Sequence, residues 1–267
     1  MNRPTRLLAC GAATAVAAAV VGSGCGRSRP ASTAAPRARL SAQLSGSLTV
    51  FAAASLTEAF NDEKAALASR SAHLSLAYSF AGSQSLAQQV LQGARADVFA
   101  SADQSVMQKL IDARLVEPPR VFARNKLEIV VAPGNPKRVT GLRDLARRDL
   151  LVVLEDPSVP AGSYSRLALT RAGVKVSPKS LELDVKAALG KVTSGEADAS
   201  IVYASDVLAA GSRASGVQIP DDQNVIATYP IAVVRGTDNH AGAVAFVDDI
   251  VSGSGRQALT SHGFLPA

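Results

Sequence analysis

The sequence has no tryptophan, only three histidines and two cysteines, and these shortages exclude several classes of function. The histidines are scattered singly, without the His-x-His or His-Glu-x-x-His spacing of metal sites, which argues against a protein-bound metal. No Gly-x-Ser-x-Gly motif occurs, and a serine without a histidine nearby has no base to activate it. Because Walker and Gly-x-Gly-x-x-Gly loops are also missing from the sequence, we expect no cofactor and no enzyme activity.

The net charge of +6 and the sequence pI near 9.6 would suit a nucleic-acid-binding protein, but the basic excess is confined to the N-terminal part. Six arginines precede the first acidic residue, Glu58, and the remaining 22 basic side chains are matched by 22 acidic ones. Binding to a phosphate backbone needs a clustered basic face, which a balanced chain does not offer. We therefore expect no nucleic-acid partner. The few aromatics and abundant alanine instead suggest helices packed closely on sheets.

Residues 1–25 have the features of an export signal. Arg3 and Arg6 precede an apolar run over 7–21, which is shorter than the ~20 residues that a membrane span needs, and small residues lead up to Cys25. This order resembles a bacterial lipoprotein signal, which implies cleavage before Cys25, acylation of its sulfur and anchoring at the outer face of the cell membrane, on the periplasmic or extracellular side. The alternative is a simple cleaved signal and secretion without a lipid. An acylated Cys25 leaves no free thiol and no disulfide in the mature chain.

Strand and helix patterns alternate from residue 47 onward, after a stretch at 26–46 that is rich in Ser, Thr, Pro and Arg and predicts a flexible tether. Apolar, β-branched runs such as 74–80, 96–101 and 199–203 are each followed by apolar side chains at helical spacing. Repeated strand–helix–strand units of this kind indicate an α/β protein whose mainly parallel sheets are flanked by helices.

Two long strand-like segments, near 122–131 and 225–234, predict extended strands that cross between two lobes. We assign residues 47–125 plus 231–267 to lobe 1 and residues 126–230 to lobe 2. A ligand is expected in the cleft between them, where the carboxyl ends of the strands of both lobes meet. We expect the chain to act as a monomer.

Predicted helix beginnings are the best candidates for a binding site. Ser55 follows the first predicted strand, and Glu58 three residues later predicts a capping box. Three further helices are expected to begin at Gly82–Ser83, Pro160–Gly162 and Asp184–Val185. Each is ordinary capping when taken alone. Four helix N-termini directed into one cleft, however, would bind an anion through backbone N–H groups, without Lys or Arg.

Five short blocks of sequence resemble the periplasmic molybdate-binding proteins of ABC importers and occur in that family's order. They are FAAASL at 51–56, SFAGSQSLAQQ at 79–89, ADVFASAD at 96–103, VPAG at 159–162 and IVYASD at 201–206. The resemblance extends over residues 47–265. It implies the two-lobed fold of the periplasmic binding proteins and a role in transport, with a membrane permease and an ATPase as partners.

The resemblance also implies which residues hold the oxyanion. Ser55 and Ser83 would each contribute a hydroxyl and a backbone N–H group. Ala161 and Val185 would contribute backbone N–H groups, and Tyr203 would contribute its phenol. Molybdenum would then enter only as the bound oxyanion, through these same residues.

A site made only of hydrogen-bond donors favours anions that are fully ionised near neutral pH, such as molybdate, tungstate and sulfate. Phosphate carries at least one proton there and would need an acceptor, which this set lacks. Two alternatives stay open: a receptor for another oxyanion, such as sulfate or a phosphonate, and a secreted serine hydrolase that uses a cleft serine. The absence of Arg and Lys from the five blocks favours the molybdate reading.

Overall fold

The computed structural model describes residues 44–71 and 73–267. The predicted signal peptide, Cys25 and the predicted tether up to residue 43 lie outside the described residues. The strands are β1 (Gly46–Ala53), β2 (Leu74–Ala81), β3 (Val98–Ala100), β4 (Arg120–Val131), β5 (Leu154–Glu155), β6 (Leu181–Glu182), β7 (Ala199–Tyr203), β8 (Ser215–Gln218) and β9 (Ile226–Val233). The α-helices are α1 (Thr57–Arg70), α2 (Ser83–Leu91), α3 (Gln104–Asp112), α4 (Pro160–Arg171), α5 (Val185–Thr193), α6 (Ala204–Ala210), α7 (His240–Ser252) and α8 (Ser254–Ser261).

The N-terminal strands form the parallel part of the main sheet, in the order β2–β1–β3. Successive side chains of β1 point to opposite faces, so the strand contributes to two apolar clusters. Val50 packs in the cluster that contains Phe60 of α1 and Phe246 of α7. Phe51 packs in the other, with Leu86 of α2. Helices therefore cover both faces of this sheet, as the alternation of strands and helices predicts.

The strands β4 and β9 are the two predicted crossing segments, and they run antiparallel along each other, with Asn125 opposite Ala227. The pairing shifts between Val121 and Ala123, beside Pro230. Proline has no N–H to donate to a ladder, and a local irregularity accommodates it. The lobe boundaries assigned from the sequence fall inside these two strands, which connect both ends of the sheet.

The C-terminal half of β4 pairs with β7 and β8, both antiparallel to it. A small parallel pair, β5 with β6, lies apart from this sheet, and a parallel bridge joins Val152 to Ala199. The apolar run over 150–154 favours a strand, but the regular strand there, β5, is only two residues long. The two short strands β6 and β8 have too few apolar residues for a strand prediction. Among the described residues, no helix combines the length and the apolar character needed to cross a membrane.

Candidate oxyanion-binding site

A small cavity lies where the beginnings of several helices meet the end of β7. The five residues predicted from the sequence all line it: Ser55, Ser83, Ala161, Val185 and Tyr203. Small side chains such as Ala53, Gly82 and Ala102 line much of the remainder. The cavity has a volume of about 10 Å³, on the order of the room for one water centre. A cavity of this size suits a compact ligand.

Ser55 does not cap a helix, so the predicted capping box is wrong. It lies in a 3₁₀ turn over Ala54–Leu56, α1 begins only at Thr57, and neither start has a side-chain cap. The Ser55 hydroxyl instead forms a hydrogen bond of 3.0 Å with the Tyr229 hydroxyl. Glu58 binds the Lys186 ammonium at 2.7 Å. The two side chains of the predicted capping box therefore interact with residues that are distant in sequence. Local spacing does not contain this information.

Ser83 is the first residue of α2 and is almost fully buried. Its hydroxyl oxygen accepts a hydrogen bond of 3.1 Å from the backbone N–H of Ala102. Gly82 before it is required for close packing, because a Cβ there would lie 2.4 Å from the carbonyl oxygen of Leu183. The absence of a side chain at Gly82 thus lets the segment before α5 approach the beginning of α2.

The two remaining predicted helix beginnings are also present. Pro160 occupies the first turn of α4, where its missing N–H is no loss, and Ala161 follows it. At α5, the Asp184 carboxylate accepts a hydrogen bond of 2.9 Å from the N–H of Ala187. The N–H of Val185, at the start of the same helix, has no partner within the helix. Asp184 lines the cavity, but its carboxylate caps the helix.

Tyr203 ends β7 and is 1 % exposed. Within the described part of the chain, its hydroxyl has no hydrogen-bond partner. Burial raises the pKa of Tyr203 well above its usual value, so the hydroxyl keeps its proton. A buried donor left unpaired costs free energy, which a ligand that accepts the hydrogen bond would recover. The cavity therefore holds a donor without an acceptor.

Lys186 and the carboxylates around it form ion pairs with one another and do not line the cavity. Lys186, next to Val185, binds the buried Asp206 at 2.9 Å as well as Glu58. Burial raises the pKa of Glu155, a carboxyl near Asp206, well above its usual value, which favours the neutral form of this group. None of the lining residues is Lys, Arg or His. The arrangement suits an anion held by neutral donors, and the carboxylate among the lining residues, that of Asp184, accepts the N–H of Ala187 in the helix cap.

The family model described as "Bacterial extracellular solute-binding protein" matches residues 48–265. The chain belongs to this family. The molybdate-binding protein ModA of Mycobacterium tuberculosis is 40% identical over 241 residues, which make up 90% of this chain and 91% of that protein. The predicted resemblance to the molybdate-binding proteins of ABC importers is confirmed.

Two solved structures confirm the predicted two-lobed fold. The periplasmic molybdate-binding protein of Azotobacter vinelandii has a TM-score of 0.71 at 20% identity, covering 82% of this chain and 99% of its own. The sulfate-binding protein SubI of M. tuberculosis H37Rv has a TM-score of 0.70 at 20% identity, covering 83% of this chain and 87% of its own. Because proteins named for different anions match equally well, the fold itself does not identify the ligand.

Sequence reasoning did not identify the residues behind the cavity wall, above all Tyr229, Asn125 and Lys186. Tyr229 and Asn125 lie on the two crossing strands, which the sequence predicts as extended connections. The available signal is an uncharged amide and a phenol inside segments that are expected to run through the molecule. Such residues need hydrogen-bond partners when buried, so each could have been marked as part of a buried polar network.

Proposed function

We propose that this protein is the extracytoplasmic receptor for molybdate, and for tungstate, of an ABC importer, to which it delivers the anion. The observation that carries the proposal is the buried hydroxyl of Tyr203, which lines the cavity without an acceptor. Ser55, Ser83 and the beginnings of α4 and α5 add further donors around it. A relative that is 40% identical over nearly its whole length carries the name molybdate-binding protein, which supports the same ligand.

The donor set accounts for the affinity that such a receptor needs. Burial of an unpaired dianion would cost tens of kcal/mol. Hydrogen bonds to a charged group contribute ~1.5–3 kcal/mol each, and helix N-termini add a favourable field. The two serines belong to the predicted lobe 1, whereas Ala161, Val185 and Tyr203 belong to the predicted lobe 2. One anion bound by all five residues would hold the lobes closed around it.

A receptor for sulfate is the second candidate, because sulfate also accepts hydrogen bonds without donating any and a sulfate-binding protein shares the fold. The 40% identical relative favours molybdate over it. A serine hydrolase is disfavoured by the site, because no histidine lines the cavity around Ser55 and Ser83. His240 and His262 bind the exposed carboxylates of Glu117 and Asp62 instead.

Calorimetric titration of the mature chain with molybdate, tungstate, sulfate and phosphate tests the proposal. We expect molybdate and tungstate to bind tightly, sulfate more weakly and phosphate not measurably. Because the chain has four tyrosines and no tryptophan, a change in tyrosine fluorescence should accompany binding. Preference for sulfate, or the absence of molybdate binding, would overturn the proposal. Hydrolysis of chromogenic esters would support the hydrolase instead.

The proposal includes a lipid anchor on Cys25 at the outer face of the cell membrane. We expect the protein made with its own signal to partition into detergent, and Cys25→Ala to leave it either unprocessed or secreted in soluble form. Mass spectrometry of the N-terminal peptide would detect the acyl groups. A mature chain that starts at another residue and carries no lipid would show that the receptor is secreted and not anchored.

A further inference from the structure

The two serine hydroxyls of the cavity differ in the partner group that determines the direction of their protons. A hydroxyl has one proton and two acceptor positions, and it can serve either as donor or as acceptor toward a ligand. Ser83 accepts a hydrogen bond from the N–H of Ala102, a group that can only donate. The Ser83 proton is therefore free to point into the cavity. For Ser55 the partner is another hydroxyl, that of Tyr229, so either oxygen could be the donor.

Tyr229 lies behind the cavity wall and is fully buried. It does not line the cavity, so its hydroxyl acts on a ligand only through its hydrogen-bond partner Ser55, although its ring also packs against that of Tyr203. The ring is held by edge-on contacts with Phe122 and Phe264, whose centroids are 6.1 and 5.4 Å away. Burial raises the pKa of Tyr229 well above its usual value, so the hydroxyl keeps its proton. Its position is rigid, and its one proton must have an acceptor.

Asn125 on the neighbouring strand offers no acceptor for this proton. Its side-chain oxygen accepts a hydrogen bond of 3.0 Å from the N–H of Lys126, which fixes the orientation of the amide. Its amide nitrogen donates to the Ser205 hydroxyl at 2.8 Å, and an amide nitrogen cannot accept. Among the described residues, the Ser55 hydroxyl is the hydrogen-bond partner of the Tyr229 hydroxyl. The buried Tyr229 proton therefore goes to Ser55, because a buried donor left unpaired would cost free energy.

We infer that Tyr229 is a positioning residue, which donates to the Ser55 hydroxyl and turns the Ser55 proton toward the bound oxyanion. The inference rests on the proposed function and deepens it. Ser55 and Ser83 then both present protons to the cavity, one directed by a phenol and the other by a backbone amide. A ligand that needs an acceptor, such as hydrogen phosphate, meets two hydroxyls whose protons already face it and whose oxygens each already accept one hydrogen bond.

The experiment compares four variants with the wild type by calorimetric titration with molybdate and with phosphate. These are Tyr229→Phe, Ser55→Ala, the double variant and Tyr78→Phe. Tyr78 is a matched control, because its buried hydroxyl also has no partner among the described residues and its ring packs between Phe60 and Phe80, away from the cavity. Thermal unfolding without ligand reports whether each variant is folded.

We expect Tyr229→Phe to weaken molybdate binding about tenfold. This is the change expected when most of the free energy of one charge-assisted hydrogen bond is lost. Phosphate, which is not expected to bind the wild type measurably, should gain and not lose affinity, because a Ser55 hydroxyl released from Tyr229 can turn to accept the phosphate proton. The double variant should bind like Ser55→Ala to within about twofold, since Tyr229 acts only through Ser55. Tyr78→Phe should bind like the wild type.

Unchanged binding by Tyr229→Phe, or losses that multiply in the double variant, would overturn the inference while leaving the proposed function intact. A wild type that binds no molybdate would instead overturn the proposed function. If Tyr229→Phe does not fold, Tyr229→Met removes the same hydroxyl and replaces the ring by a flexible apolar side chain. Combined with Ser55→Ala, it should again cause no further loss, and a further loss would contradict the inference.

Discussion

The hydroxyl of Tyr203 is a donor that the described part of the chain leaves unpaired in a cavity. Tyr203→Phe removes that donor and keeps the ring, which packs against Tyr229 at a centroid distance of 5.7 Å. We expect the free energy of molybdate binding to weaken by ~1.5–3 kcal/mol. The stability of the ligand-free protein should be unchanged or slightly higher, because a buried unpaired group is lost.

Calorimetry and ligand-free thermal unfolding measure the two effects of Tyr203→Phe separately. Tyr78→Phe is the matched control, and it should leave binding unchanged. A Tyr203→Phe protein that binds molybdate as tightly as the wild type would show that this phenol does not contact the ligand.

Individual residues could be predicted from the sequence where a motif is continuous along the chain. Ser83, Ala161 and Val185 each stand at a helix beginning, and local spacing is enough to place such groups. The role of Ser55 could not be predicted fully, because its partner Tyr229 lies 174 residues away. The capping-box prediction failed for the same reason: Glu58 finds Lys186 on another helix, and no local pattern contains that information.

At the scale of elements, the beginning of α4 depends on close packing at Gly162. A Cβ at this position would lie 2.1 Å from the carbonyl oxygen of Asp156. Gly162→Ala must therefore displace the first turn and the N–H of Ala161 with it. We expect weaker molybdate binding and a loss of stability of ~1–3 kcal/mol, typical of overpacking.

Gly190 provides the control, because it lies inside α5 with nothing within 4 Å of an added Cβ. Gly190→Ala should increase stability by ~0.5–1 kcal/mol and leave binding unchanged. Denaturant unfolding and calorimetry compare the two variants. Equal behaviour of both would mean that the first turn of α4 tolerates the methyl group and does not position a ligand contact.

The order of the elements could be predicted because the apolar periodicity changes clearly between strands and helices. Both crossing strands and all four helix beginnings of the site lie close to their expected positions. The pairing of β4 with β7 and β8 could not be derived, because antiparallel partners far apart in sequence leave no local mark. The strands β5 and β6 are two residues long and are defined by their neighbours, not by their own sequence.

At the scale of the whole molecule, Lys186 joins the two predicted lobes. It lies on α5, and it binds Glu58 of α1 at 2.7 Å and Asp206 of α6 at 2.9 Å. Glu58→Gln removes the charge on the α1 side and leaves the buried Lys186–Asp206 pair intact. We expect molybdate binding to weaken by ~0.2–1 kcal/mol, the usual contribution of a partly exposed ion pair, and the effect to shrink at high salt.

Titrations of Glu58→Gln at low and high ionic strength measure this contribution. Glu182→Gln is the control, because Glu182 pairs with Lys191 and both belong to the predicted lobe 2. It should leave binding unchanged. A Glu58→Gln protein with wild-type affinity at low salt would show that this pair does not favour the closed arrangement.

The packing of α1 against α7 and α8 makes stability depend on pH. Burial, together with the neighbouring Asp249 carboxyl, raises the pKa of Glu63 to about 8, although Arg70 and Ser254 also contact this carboxyl. Folded Glu63 therefore holds a proton that the unfolded chain releases near its ordinary pKa of 4.5. The contribution of this group to the free energy of unfolding is complete below pH 4.5 and is lost as the pH rises to about 8.

Glu63→Gln, which resembles the protonated carboxyl and cannot ionise, should remove this part of the pH dependence. Urea unfolding of the ligand-free protein between pH 5 and 9 measures it. We expect the wild type to lose stability relative to the variant across this range, with the steepest change below pH 8. Parallel curves for the two proteins would mean that Glu63 titrates in the folded state as it does in the unfolded chain, with its charge stabilised by Arg70.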